Sequence, residues 1–194
     1  MSSRAAARSA SGLPGAQLDL ADLERRSTLT AEYQPHLVPG LAQTAAYART
    51  WLTQPDRPTT LDSIDVEGVI EARLGRQAIL YQPGRRVLIA LAAAALGNVH
   101  GDLDVHRRQL GHLQVIAELP TVDLLIEPAH TAMATMRGFE LLDDRVILED
   151  TDGARHLTDP AVVARFATAL TALRRRALAG SDAINAVREI EDVL

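Results

Sequence analysis

Between positions 100 and 106 the side chains of His100, Asp102, Asp104 and His106 make the densest set of metal-competent groups in the sequence. Asp102 and His106 stand four apart, so on one helix they reach a common ion. The set matches no established metal signature, however, and acids at Asp102 and Asp104 are also what a helix start favours, as cap and first-turn charges for a helix reaching Leu119. Capping is the reading adopted, and no metal or other cofactor is assigned. A second grouping is Arg73, Arg76 and Gln77. At spacings of three and four, two guanidiniums and an amide either clamp a carboxylate, a phosphate or an acidic partner segment, or form a solvated face paired with Glu67 and Glu71. A third is scattered: Tyr47, Glu127, His130 and Glu149 are capable of acid–base work, but spacing matches no two of them as acid and base.

Much chemistry is excluded. The 194 residues contain no cysteine, which removes thiol nucleophiles, iron–sulfur ligation and cysteine–zinc sites. All 20 basic side chains are arginine, so no lysine is present to form a Schiff base. Phosphate-binding glycine loops, serine elbows and paired-histidine zinc helices are missing. A net charge of -5 argues against a broad basic face for nucleic acid. No apolar run approaches the roughly 20 residues of a membrane span, and the N-terminus lacks a signal core. The expectation is a soluble cytoplasmic protein.

The elements that must position these groups follow from pattern. Residues 1–17 are Ala, Ser, Arg and Gly with almost no large apolar side chain, and are expected to be a disordered tail ahead of a single domain, 18–194. A short helix covers Leu18 to Arg26. Pro35 and Pro39 hold the chain extended, and Pro39-Gly40 suits a type II turn. A helix then carries Leu41, Ala45, Ala48 and Leu52 inward, with Tyr47 and Trp51 on a neighbouring stripe. Asp62, Ser63 or Asp65 caps a helix running to about Tyr81, with Val66, Val69, Ile70 and Leu74 as its apolar stripe.

Arg86 to Leu91 reads as a first strand passing into a short alanine helix, and Val105, Leu110, Leu113 and Ile116 face the core from the helix after it. Val122 to Ile126 is a buried strand. The loop from Glu127 to Arg137 holds His130, Met133 and Met136, and Phe139 to Leu142 with Arg145 to Glu149 forms a hairpin. Asp159-Pro160 starts a helix that Gly180 stops, and Ser181 caps the last one. The sum is an α+β fold of about six helices on a small, mainly antiparallel sheet.

The passage from Glu32 to Leu52, EYQPHLVPGLAQTAAYARTWL, is specific as a set. Its PxLVPGLxQTxxYAR pattern resembles the opening motif of the C-terminal domain of XRE-type helix-turn-helix regulators from high-GC bacteria, described as antitoxin-like. Further matching pieces follow in order: ARLGRQAIL from Ala72, RRQLGHLQVIAELPTV from Arg107, GFELL from Gly138, VILED from Val146 and ALAGSDAI from Ala177. In those regulators a DNA-binding module of five short helices precedes the domain, and here none is expected, since the residues ahead of the domain leave no room for one. Where the family pattern reads Asp-Glu-Ala-Ala-Leu-Arg-Arg, this chain has Ala92 to Asn98 without those charges.

The resemblance implies a partner- or ligand-binding regulatory domain that does not bind DNA by itself. The implied contact residues are Pro39, Gly40, Gln43, Thr44, Tyr47, Trp51, Arg73, Arg76, Gln77 and Glu149. A small acidic protein or a small effector is the partner expected, with a homodimer as a further option. The alternative is an enzyme of specialised metabolism, recruited from this domain to cyclise or isomerise a small metabolite, with Glu127, His130, Glu149 and Tyr47 as its acid–base groups.

Overall fold

Three strands form the middle of the sheet and all run the same way: β1 (Leu29–Gln34), β2 (Arg86–Ala92) and β3 (Val122–Glu127). Parallel neighbours require crossovers. The first carries α2 (Ala45–Leu52) and α3 (Val66–Arg76), and the second α4 (Ala93–Gly97) and α5 (Leu103–Ala117). Around this centre the pairing turns antiparallel. Strand β4 (Phe139–Leu142) lies on the other side of β1, β5 (Val146–Asp150) on β4, and β6 (Gly153–Leu157) on β5, while the two-residue β7 (Leu178–Ala179) pairs with β3. The order is β6-β5-β4-β1-β2-β3-β7. Three helices complete the chain: α1 (Gly12–Arg26), α6 (Pro160–Arg176) and α7 (Ser181–Val193). This computed structural model describes the backbone of residues 12–55, 65–129, 137–150 and 153–194, and the side chains of all of these except 12–16, 149, 150 and 153.

Strand periodicity divides the core into two. Val87, Ile89 and Leu91 of β2, with Val122, Leu124 and Ile126 of β3, pack under α2, α5 and α7 through Tyr47, Leu110, Leu113, Ile116 and Val187. The intervening residues Leu88, Ala90 and Leu125 face the opposite way, with Ala31, Tyr33, Phe139 and Leu141, against Leu170 and Leu173 of α6. Helix α1 lies beside α3 and sets Leu20 and Leu23 on Leu142 and Ile147. Among the described residues no helix is long and apolar enough to cross a membrane.

The α+β class stands, but the sheet is larger and more mixed than the pattern implies. Strand β1 is missing from the sequence reading because its alternation, Thr30, Glu32, Gln34 against Ala31 and Tyr33, looks half polar. Both sides are nonetheless covered: Thr30 and Glu32 are as buried as Ala31 and Tyr33. The first helix begins at Gly12, six residues inside the stretch expected to be a loose tail, and Gln17 is buried. Residues 1–11 lie outside the described ones. No type II turn forms at Pro39-Gly40, because Gly40 keeps a negative φ and opens a short 3-10 turn, Gly40–Ala42. Helix α2 therefore starts only at Ala45, capped by Thr44, whose hydroxyl accepts from the Tyr47 amide.

Asp65 caps α3 by accepting from the Gly68 amide, while the alternatives Asp62 and Ser63 lie outside the described residues. Asp102 accepts from the Asp104 and Val105 amides at the head of α5. Asp159, ahead of Pro160, caps α6 in the same way. Ser181 is the first residue of α7 and not its cap: the capping position is Gly180, at φ 56, with no side-chain hydrogen bond.

Two other glycines separate backbone strain from crowding. Gly84 and Gly101 have φ of 80 and 78, but a Cβ on Gly84 meets open space whereas one on Gly101 overlaps Thr50 Cγ2. Gly84→Ala is expected to cost about 1–2 kcal/mol, the left-handed penalty alone. Gly101→Ala should cost about 1–3 kcal/mol more, for overpacking. Urea unfolding midpoints of the two variants measure the difference.

Candidate functional site

The irregular segment between β1 and α2 is interior, and buried irregular backbone needs partners for its amides and carbonyls. It finds them in side chains from five directions. The Glu32 carboxylate accepts from the Gly40 and Leu41 amides at 2.8 and 3.2 Å. Gln43, fully buried, donates to the Val38 carbonyl at 2.7 Å and accepts from Arg73 Nη1 at 2.6 Å. Gln77 donates to the Gln43 carbonyl. Gln109 of α5 accepts from the Thr44 amide at 2.7 Å and donates to the Ala42 carbonyl at 2.6 Å. The Tyr47 hydroxyl accepts from the Val38 amide. Burial pushes the Tyr47 phenol up to about 12, and that amide offsets part of the rise. It is a neutral phenol at physiological pH.

Below this segment Arg76 is enclosed. Its Nε and Nη2 grip Glu24 of α1 at 2.9 and 2.7 Å, Nη1 donates to Gln17 at 2.6 Å, and Nη2 lies 3.4 Å from Glu140 of β4. Exposure of the Arg76 and Glu24 side chains is 2% and 0%. Glu32 and Glu140 are direct cross-strand partners, a like-charge pairing that sheets ordinarily avoid. Burial would lower the Arg76 pKa, but Glu24 and Glu140 outweigh it and hold the guanidinium charged. Burial and the Glu24 charge push the Glu140 carboxyl well above the usual carboxylate range.

Arg73 and Arg76 are thus not a solvated face, and they pair with neither Glu67 nor Glu71. Helix α3 changes its inward side along its length. Val69 and Ile70 are buried in its first half, but in its second half the arginines turn in and Leu74 turns out, 38% exposed. What lies opposite decides it: Ala48 and Leu52 face the first half, three carboxylates the second. Glu67 pairs instead with Arg49 at the surface.

These hydrogen bonds hold α2 so that its far end meets the loop between α4 and α5, on the side of the sheet where β1 and β2 end. There the His100 ring lies 5.2 Å from Trp51 and 6.1 Å from Tyr47, edge-on to both. Gln54 Nε2 sits 3.3 Å from His100 Nδ1 and the His36 carbonyl 3.4 Å from Nε2, which puts the ring hydrogen on Nε2. Asn98 also donates to the His36 carbonyl. Val99 and Leu103, near His100 in the sequence, are exposed, and Trp51 is half-buried. His106 turns inward, its Nε2 2.7 Å from the Leu96 carbonyl and its Nδ1 without a hydrogen bond. With Asp102 committed to the helix cap, the 100–106 set does not converge.

The acid–base candidates are not brought together either. Glu127 is on the α6 side of the sheet, accepting from the Tyr33 hydroxyl at 2.7 Å and from Arg176 at 2.6 Å. Burial and that carboxylate raise the Tyr33 pKa. Tyr47 belongs to the core on the other face. Glu149 has its backbone in β5, but its side chain lies outside the described residues, as do His130, Met133 and Met136 entirely. Sequence reasoning missed Gln17, Glu24, Glu32, Gln109 and Glu140. The signal available for Glu32 and Glu140 was a lone acid in the middle of an otherwise strand-forming run. The family model described as Domain of unknown function (DUF5753) matches residues 17–189. No match is found among curated proteins.

Removing one partner of an enclosed ion pair strands the other. Arg76→Ala should therefore lower stability by about 3–5 kcal/mol, whereas Arg49→Ala, at the exposed pair with Glu67, should leave the urea midpoint unchanged. Equal small effects would contradict the enclosure of Arg76.

Proposed function

The chain belongs to the family of the domain of unknown function DUF5753, and on that premise we propose that it is a regulatory, antitoxin-like binding domain. It holds a partner protein or small effector and does not read DNA by itself. The finer relation, to the C-terminal domains of XRE-type regulators, is part of the same proposal and rests on the motif resemblance.

One observation carries the reading. Glu32, Gln43, Arg73 and Gln77, within or beside the resembling motifs, are committed to fixing residues 38–44, and this fixing sets the end of α2 where Trp51 meets His100. That end, a half-buried Trp51 against His100, has the character of a contact hot spot with a tryptophan anchor, and Val99 and Leu103 are exposed nearby in the sequence. It lies beyond the carboxyl ends of adjacent parallel strands, where open sheets with parallel centres commonly place their ligands. Pro39, Gly40, Gln43, Thr44, Arg73, Arg76 and Gln77 then act as positioning residues, and Trp51 with His100 as contacts. The partner is the small acidic protein or small effector implied by the resemblance, taken up by a protein that is itself acidic overall.

The test uses the only tryptophan in the chain. Products of adjoining genes are purified and titrated against the protein, with Trp51 emission as local reporter and size-exclusion chromatography for the complex. The expected result is a saturable spectral shift. Trp51→Phe is the optical control, and His100→Ala should weaken binding by roughly thirtyfold, a hot-spot loss of about 2 kcal/mol, with unchanged circular dichroism. Tight binding of the chain alone to duplex operator DNA at physiological salt, or unaided turnover of a metabolite, would overturn the reading.

A further inference from the structure

Helix α1 is attached in an unusual way. Its apolar contact is small: Leu20 is buried and Leu23 partly so, against Leu142, Ile147 and Ala154. The C-terminal end is capped by Arg85, which donates to the Glu24, Arg25 and Ser27 carbonyls. The remaining attachment is polar and buried: Glu24 and Gln17 on Arg76.

The charges around that attachment do not balance with every group ionised. Glu24 comes from α1, Glu32 from β1 and Glu140 from β4, against Arg73 and Arg76 from α3. Among the described residues three carboxylates face two guanidiniums, an excess of one negative charge. The Glu24 and Glu140 carboxyl groups meet at one nitrogen, Arg76 Nη2, which lies 2.7 Å from Glu24 Oε1 and 3.4 Å from Glu140 Oε2. Two carboxyl groups bond only when a proton lies between them. Among the described residues Glu140 Oε1 receives no hydrogen bond from any donor, as fits the oxygen that carries the proton. Asp19 of α1 and Arg145 both act on His156, whose imidazole pKa is lowered by burial and by Arg145 and raised by Asp19.

We propose that α1 is a proton-dependent latch: a proton shared by Glu24 and Glu140 holds the helix on the sheet, and its loss frees α1 while the rest of the domain stays folded. The direction follows from linkage. Burial and the Glu24 charge raise the Glu140 carboxyl in the docked state. Docking is therefore fully stabilised below the ordinary carboxylate range, weakens by up to about tenfold per pH unit between that range and the raised docked value, and changes no further above it. Release would uncover Leu20, Leu142 and Ile147 together and so open a new apolar surface beside β4 and β5. The latch is independent of the contact end at Trp51.

Amide hydrogen exchange of the full chain tests it, from about pH 5 to about pH 9, with rates corrected for intrinsic exchange. Protection of residues 12–26 is expected to fall steeply across this range while that of residues 103–117 holds. In Glu140→Gln, where an amide donates to Glu24 with no proton to lose, the α1 profile should be flat. Glu24→Gln serves as a second variant with the same expectation. Protection of α1 indifferent to pH in the unmodified protein would overturn the proposal. So would the same slope in the folded variants, or parallel loss of protection in 103–117.

Discussion

A single carboxylate on a central strand sets the course of the chain. Glu32 receives the Gly40 and Leu41 amides, so the segment leaving β1 turns back over the sheet and delivers Thr44 to the head of α2. Its charge is tolerable there because Arg73 and Arg76 come from above, both close to Gly40. Each group has a reason to be buried only if the others are. Leaving any one unpaired would cost a buried charge or an orphaned amide.

Such a lattice is a poor source of raw stability, since well-packed apolar residues of similar volume often do as well or better. What it provides here is one geometry for an irregular segment. Gln43, Gln77 and Gln109 each join backbone of that segment to another element. Slippage of α2 by a single residue would orphan several of these bonds at once. The apolar cores on the two faces of the sheet supply bulk cohesion, and the polar layer determines where α2 ends and hence where Trp51 and His100 meet.

Much of the fold was legible in the sequence wherever one face of an element is apolar. The α5 stripe, the β4–β5 hairpin, the alanine helix after β2 and the Asp102 and Asp159 caps all obey local rules. Failures cluster where polar side chains point inward. Strand β1 escaped because Glu32 and Thr30 face the polar layer, and the arginines of α3 were read as surface because charged residues are rarely enclosed. Nothing local distinguishes Arg76 from Arg49; only the carboxylates brought from three distant elements do. Short edge strands were also invisible, since β7 is two residues whose pairing with β3 is a tertiary event.

For function, the consequence is a division of labour. Residues that resemble a binding clamp in one dimension hold the frame in three, and in the proposed function contact is assigned to the aromatic end that the frame presents. The most direct test of this division is nuclear magnetic resonance of the arginine side chains at neutral pH. Enclosed, ion-paired guanidiniums give slowly exchanging Nη hydrogens. Arg73 and Arg76 should show such resonances while Arg49 and Arg108 do not. Rapid exchange of Arg76 with solvent, indistinguishable from Arg49, would contradict the account at its root.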